Sequence, residues 1–139
     1  MEQFYGTWKI NPAENSGFEE LGKCTGMTAE QVTAINKREF TMLIEEKDGG
    51  SHRICVDYGA AKDDIVFKLG VPQDYQGLDG AKSKLTVLLQ DKMLVEKFLQ
   101  EDGSTYSVCS HIEGNDLLVS ETTFAKYPSV KVINKIYRC

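Results

Sequence analysis

The chain has 139 residues and a net charge of −5, enough for one domain with its own core, and its field repels nucleic acid and offers anionic lipid no broad attraction. A hydrophobic fraction of 41% and a charged fraction of 27% are those of a globular protein, and no segment is apolar for long enough to span a bilayer as a helix. Met1-Glu2-Gln3 leads straight into the first apolar stretch without a basic start, an apolar run or a cleavage site, so no secretory signal is read and a cytoplasmic location is expected. Cys24, Cys55, Cys109 and Cys139 are scattered and include no C-x-x-C pair, which fits free thiols in a reducing compartment.

The first element is a strand over Phe4–Ile10. Period two puts Phe4, Gly6, Trp8 and Ile10 on one face, and Tyr5, Thr7 and Lys9 on the other. So apolar an N-terminal strand predicts docking against later strands, and Gly6 predicts a bend or a close approach by another part of the chain. After the breaker cluster Asn11 to Asn15, Ser16 and Glu19 have capping-box spacing and predict a helix with Phe18, Leu21 and Gly22 on one side and Gly26 as its stop. A second box, Thr28 to Gln31, predicts another short helix carrying Val32 and Ile35. Each is too short to be stable alone in water, so both must rest on something apolar.

From Arg38 onward the pattern alternates, with turn signals at the spacing of an antiparallel barrel or sandwich. Candidate strands are Glu39–Glu46, Ser51–Tyr58, Asp64–Leu69, Ser83–Leu89, Met93–Gln100, Ser104–His111, Leu117–Thr123 and Val130–Arg138. The stretch Gly70 to Lys82 holds either one short strand around Gln73–Gln76 or a loop. A strand, a helix pair and then a long meander suit a closed barrel with a helical lid better than a sandwich, because closure removes exposed edges and can enclose a cavity. No linker or repeat divides residues 1–139, so a single domain is expected.

These residues resemble the intracellular lipid-binding proteins, which include the fatty-acid-binding and cellular retinoid-binding proteins. The resemblance spans the chain and rests on Phe4-Tyr5-Gly6-Thr7-Trp8-Lys9, Asn15 to Leu21, Phe67-Lys68-Leu69-Gly70, Asp102-Gly103-Ser104-Thr105 and Asn134-Lys135-Ile136-Tyr137-Arg138. It implies an all-β fold: a ten-stranded antiparallel up-and-down barrel, lipocalin-like, capped by a helix-turn-helix lid. It also implies non-covalent carriage of a hydrophobic ligand such as a fatty acid, a retinoid or a similar lipid.

By the same resemblance, the last strand aims a cation and a phenol into the cavity at i and i+2, here Lys135 and Tyr137, where the family holds a ligand carboxylate. The family's other carboxylate-binding arginine falls at Ser110, with Tyr106 and Val108 as inward neighbours. An amine and a hydroxyl thus stand where two guanidinium groups are usual, which leaves a simple fatty acid without its clamp. The register also turns Glu121 and Glu96 inward, where a glutamate near Lys135 would favour a neutral or hydroxylated ligand, unless a bulge turns both to solvent. Phe18 and Val32 of the lid are expected at the portal.

Other constellations are weaker. His52 and His111 both point outward on this register, and with Cys109 they supply at most half a metal site, so no metal is expected. No phosphate-binding glycine motif occurs, and no cofactor or catalytic residue is assigned. The expected partner is a small hydrophobic molecule bound to a monomer. Lys23, Lys37 and Arg38 on the lid permit at most transient membrane contact, opposed by Glu14, Glu19, Glu20 and Glu30. Two other classes remain open: a cofactor-independent enzyme using a low-pKa lysine and paired glutamates in the same cavity, and a ligand-free interaction module with a filled interior.

Overall fold

Ten antiparallel strands form one sheet in the computed structural model, which describes all 139 residues. They are β1 (Gly6–Ile10), β2 (Thr41–Glu46), β3 (His52–Asp57), β4 (Lys62–Phe67), β5 (Gln73–Gln76), β6 (Lys82–Gln90), β7 (Met93–Gln100), β8 (Thr105–Glu113), β9 (Leu117–Phe124) and β10 (Lys131–Arg138). Two helices, α1 (Phe18–Thr25) and α2 (Ala29–Lys37), lie between β1 and β2. Each strand pairs with its sequence neighbour except β4 and β5, and β1 pairs with β10, so the meander curls into a nearly closed barrel. The expected full closure is therefore interrupted by a seam. The seam's edges are modest: β5 has 4 residues and β4 opens on Lys62, Asp63 and Asp64, a short strand and a charged one of the kind that discourages edge pairing.

The N-terminal face reads as its period demands. Phe4, Trp8 and Ile10 are buried, although Phe4 sits in a 3-10 turn just before β1, where its carbonyl accepts the Trp8 indole N–H at 2.9 Å. Gly6 is required by what lies over it. Its φ is +133°, and a Cβ there would stand 2.7 Å from Arg138 Nη1. Phe4, Trp8 and Ile10 join Ile44, Ile54, Phe67, Leu85, Leu118 and Ile136 in one apolar cluster.

The helix pair matches the sequence with one correction. Thr28 and Gln31 form the expected capping box on α2, and Gly26 ends α1 in the left-handed region. Ser16 does not cap α1. It exchanges two backbone hydrogen bonds with Ile133, at 3.0 and 2.9 Å, and Gly17 takes the N-cap position with φ +93°. A side chain at 17 would collide with the Lys131 carbonyl oxygen, which lies 2.0 Å from where its Cβ would stand, so this bridge to β10 demands glycine.

Candidate ligand-binding site

Which residues face the interior follows from the pairing of β1 with β10. Trp8 is fully buried and sits opposite Arg138. The Arg138 guanidinium lies 4.1 Å from the Trp8 ring centroid and donates to the carbonyls of Tyr5, Gln3 and Asn115 at 2.8, 3.1 and 3.0 Å. Strand alternation then turns Val132, Asn134 and Ile136 inward and Ile133, Lys135 and Tyr137 outward. Lys135 and Tyr137 are therefore not in the cavity. Tyr137 donates to Glu14 Oε1 at 2.6 Å, and Lys135 Nζ lies 3.7 Å from Glu14 Oε2. This surface cluster ties the outer face of β10 to the turn Pro12–Glu14. The Tyr137 hydroxyl chiefly lowers the Glu14 carboxyl below its ordinary range, with Asn11 and Lys135 adding smaller effects.

The same register corrects the expectations for Glu121 and His52, and the lid geometry corrects those for Val32 and Phe18. Glu121 faces out and pairs with Lys131 at 3.6 Å. His52 faces in, where its Nδ1 is hydrogen-bonded to the Tyr5 hydroxyl at 2.7 Å and its ring lies beside Phe67. Val32 packs against Gly22, where an added Cβ would stand 2.5 Å from Val32 Cγ2. Phe18 is half-buried and, like Val32, does not line the cavity; on the lid side, Ile35 does.

The expected inner row of β8 is present. Tyr106, Val108 and Ser110 sit opposite Phe124, Thr122 and Ser120 on β9, and Ser110 is buried. Glu96 on β7 sits opposite Val108 and so faces inward too.

Beneath α2 lies a cavity of about 340 Å³, lined by Ile35, Arg38, Tyr58, Asp63, Tyr75 and Tyr106 among others. Asp63 and Tyr75 also line a smaller, more closed compartment of about 40 Å³, together with Val56, Ile65, Glu96 and Phe98. The lining is aromatic as well as acidic: Phe98 stacks on Tyr106 at 4.4 Å, and Tyr75 meets Phe98 edge-on at 5.4 Å. Tyr75 donates its hydroxyl to Asp63 Oδ2 across the seam between β4 and β5.

The electrostatics of this interior are acidic. Burial, with the Asp63 charge adding to it, raises the Glu96 carboxyl to about 7. Tyr106 is pushed up to about 12, first by burial and then by the Glu96 charge. Burial and the hydrogen bond to Asp63 raise Tyr75 as well. No lysine or arginine lines the smaller compartment. The cations lining the outer cavity are Lys82 and Arg38, the latter exposed and stacked 4.4 Å over Tyr58. Asn134 adds a buried amide oxygen with no hydrogen-bond partner.

Sequence reasoning missed Asp63, Tyr58, Tyr75 and Arg38 as site residues. Asp63 falls one residue before the expected start of β4, although Asp63, Ile65 and Phe67 alternate and could have marked the face.

No protein-family model matches the chain. It is 27% identical to a liver fatty acid-binding protein from Schroederichthys bivius over 117 residues, 83% of this chain and 85% of that protein. Among solved structures, fatty-acid-binding protein 1 of Echinococcus granulosus superposes with a TM-score of 0.84 at 16% identity, covering 99% of this chain and 98% of the other. A Schistosoma mansoni fatty acid binding protein in complex with arachidonic acid gives 0.82 at 20% identity over 100% and 98% of the two chains. The fluorescent protein UnaG gives 0.81 at 26% identity over 99% and 98%.

Proposed function

From the premise that sequence and structure both support membership of the intracellular lipid-binding protein family, we propose that this chain is a non-covalent carrier of a small hydrophobic molecule held in the barrel. The observation that carries the proposal is the cavity under α2, which shares Asp63 and Tyr75 with a smaller compartment walled by Val56, Ile65 and Phe98. Its volume of about 340 Å³ is within the range of small-molecule sites, where apolar burial supplies most of the affinity and a few polar groups orient the ligand. Arachidonic acid in the Schistosoma mansoni neighbour supports a lipid-like cargo. A fatty acid, a retinoid or a similar lipid all belong to this reading. So does a cytoplasmic monomer; no helix is long and apolar enough to cross a membrane.

With Lys135 and Tyr137 on the outer surface, the carrier reading rests on the cavity and the relatives instead of on a terminal clamp. The enzyme alternative loses more, because the lysine and one of the two glutamates it requires, Lys135 and Glu121, both face solvent. Titration of delipidated protein with the dye Nile red tests the proposal. A saturable one-to-one signal, displaced competitively by long-chain lipids, is the expected result. Failure of any lipid to displace the dye, or a signal that never saturates, would contradict it.

A further inference from the structure

We propose that the barrel selects a hydrophobic amine, with the protonated head group in the small compartment between Asp63 and Glu96 and the apolar body in the cavity of about 340 Å³ beside it, against Ile35, Leu78 and Tyr106. This inference rests on the carrier reading above and names the ligand class for the same cavity.

Two observations carry it. Asp63 and Glu96 both line the smaller compartment, and no lysine or arginine lines it with them. Buried negative charge of that kind is costly unless a cation accompanies it. Moreover, the interior contains hydrogen-bond acceptors that the protein leaves unfilled. Nothing in the protein hydrogen-bonds to Glu96, whose environment is set by burial and by the charge of Asp63 alone. Buried acceptors are nearly always paired, and an ammonium group brings up to three donors together with the missing charge.

The alternatives fit less well. A carboxylate would bring further negative charge against Asp63 and Glu96. An alcohol could donate to one acceptor but would leave the charge uncompensated. The outer cavity adds Arg38 and Lys82 beside Asp79, and a carboxylate held there is the competing outcome that the test below reads.

The groups that set the pH response surround Glu96. Asp63 faces it from β4, Tyr58 from the turn after β3, Tyr75 from β5 and Tyr106 from β8. β6 presents the apolar Leu85 and Val87. His52, also inward, is held by Tyr5.

The test compares decylamine, decanol and decanoate, below their aggregation limits, as competitors of Nile red and by calorimetry. Wild-type protein at pH 7.5 is expected to bind the amine about tenfold more tightly than the alcohol, and the carboxylate least, as one displaced ionisation equilibrium implies. Amine affinity should rise between pH 6 and 8 as Glu96 loses its proton. Glu96→Gln and Asp63→Asn should each weaken the amine about tenfold, leave the alcohol within about threefold, and in Glu96→Gln flatten the pH profile. The wild-type pH series stands even if a variant folds poorly.

Equal affinity for amine and alcohol, or an amine affinity indifferent to pH and to both substitutions, overturns the inference and leaves the carrier intact. Tightest binding of decanoate, lost on Arg38→Ala, does the same and places the head group at the mouth. If neither the dye nor any of the three ligands binds saturably, the carrier reading falls, and this inference with it.

Discussion

Arg138 decides which side chains of the last strand can meet a ligand. Its position over Trp8, with three carbonyls accepting from its guanidinium, fixes the phase of β10 at its C-terminal end. Replacing it with methionine keeps much of the packing but removes a cation–π contact and three charge-assisted hydrogen bonds. A loss of about 2–3 kcal/mol in urea unfolding is expected, more than for either Lys135→Ala or Tyr137→Phe on β10's outer face. Lys135→Ala and Tyr137→Phe are expected to lower the melting temperature slightly and to leave ligand affinity unchanged, which paired thermal melts and dye titrations would check. The sign of the pH effect follows from Glu14. Its folded carboxyl titrates below the ordinary range because of the Tyr137 hydroxyl, so the cluster's contribution is present at neutral pH and fades as pH falls through that range. Tyr137→Phe should therefore narrow the difference in melting temperature between pH 7 and pH 3. None of this phase was legible from sequence. Ile133 on one face of β10 and Val132 and Ile136 on the other are all apolar, so alternation alone does not choose, and one residue of slip exchanges Lys135 and Tyr137 for Asn134 and Ile136.

Most of the elements were legible. Met93–Gln100 is a strand at the expected limits, and the other expected strands differ by at most two residues at an end, because turn residues and period two agree there; Gln73–Gln76, left open between a strand and a loop, is a strand. What pattern could not reveal was the seam, since whether β4 and β5 pair depends on barrel curvature and not on either strand's residues. The Tyr75 hydroxyl crosses that seam to Asp63. Tyr75→Phe is expected to cost about 1.5–3 kcal/mol, the usual range for a hydrogen bond to a charged partner. It should also speed amide exchange in β4 and β5 ahead of the other strands. The lid has its own control point. With Val32 Cγ2 only 2.5 Å from where a Cβ on Gly22 would lie, Gly22→Ala must push α1 and α2 apart, and pairing it with Val32→Ala should restore much of the lost melting temperature.

At the scale of the whole molecule, one apolar cluster fills much of the barrel, and the cavity under α2 and the compartment beside it carry acidic groups in their walls. Sequence alone suggested the barrel and its lid, because two short amphipathic helices after a strand have few other uses. It could not give the charge of the cavity, because that depends on Glu96 and Asp63 converging from strands far apart in the chain. The convergence has a thermodynamic signature. Because burial raises the folded Glu96 carboxyl to about 7, the folded state holds a proton that the unfolded chain has already released between roughly pH 4.5 and 7. Stability of the ligand-free protein should thus fall across that window and level off above it, by about 3 kcal/mol at most. Glu96→Gln should abolish most of the fall. The most direct test of the central claim, a hydrophobic ligand inside the barrel, is a heteronuclear NMR titration of the delipidated protein with decanol. The carrier account predicts saturation at one equivalent, with the shifts concentrated at Glu96, Phe98, Tyr106, Val108 and Ile35. Shifts confined to outward residues such as Leu69, Val71 and Leu99, or growing without saturation, would contradict it.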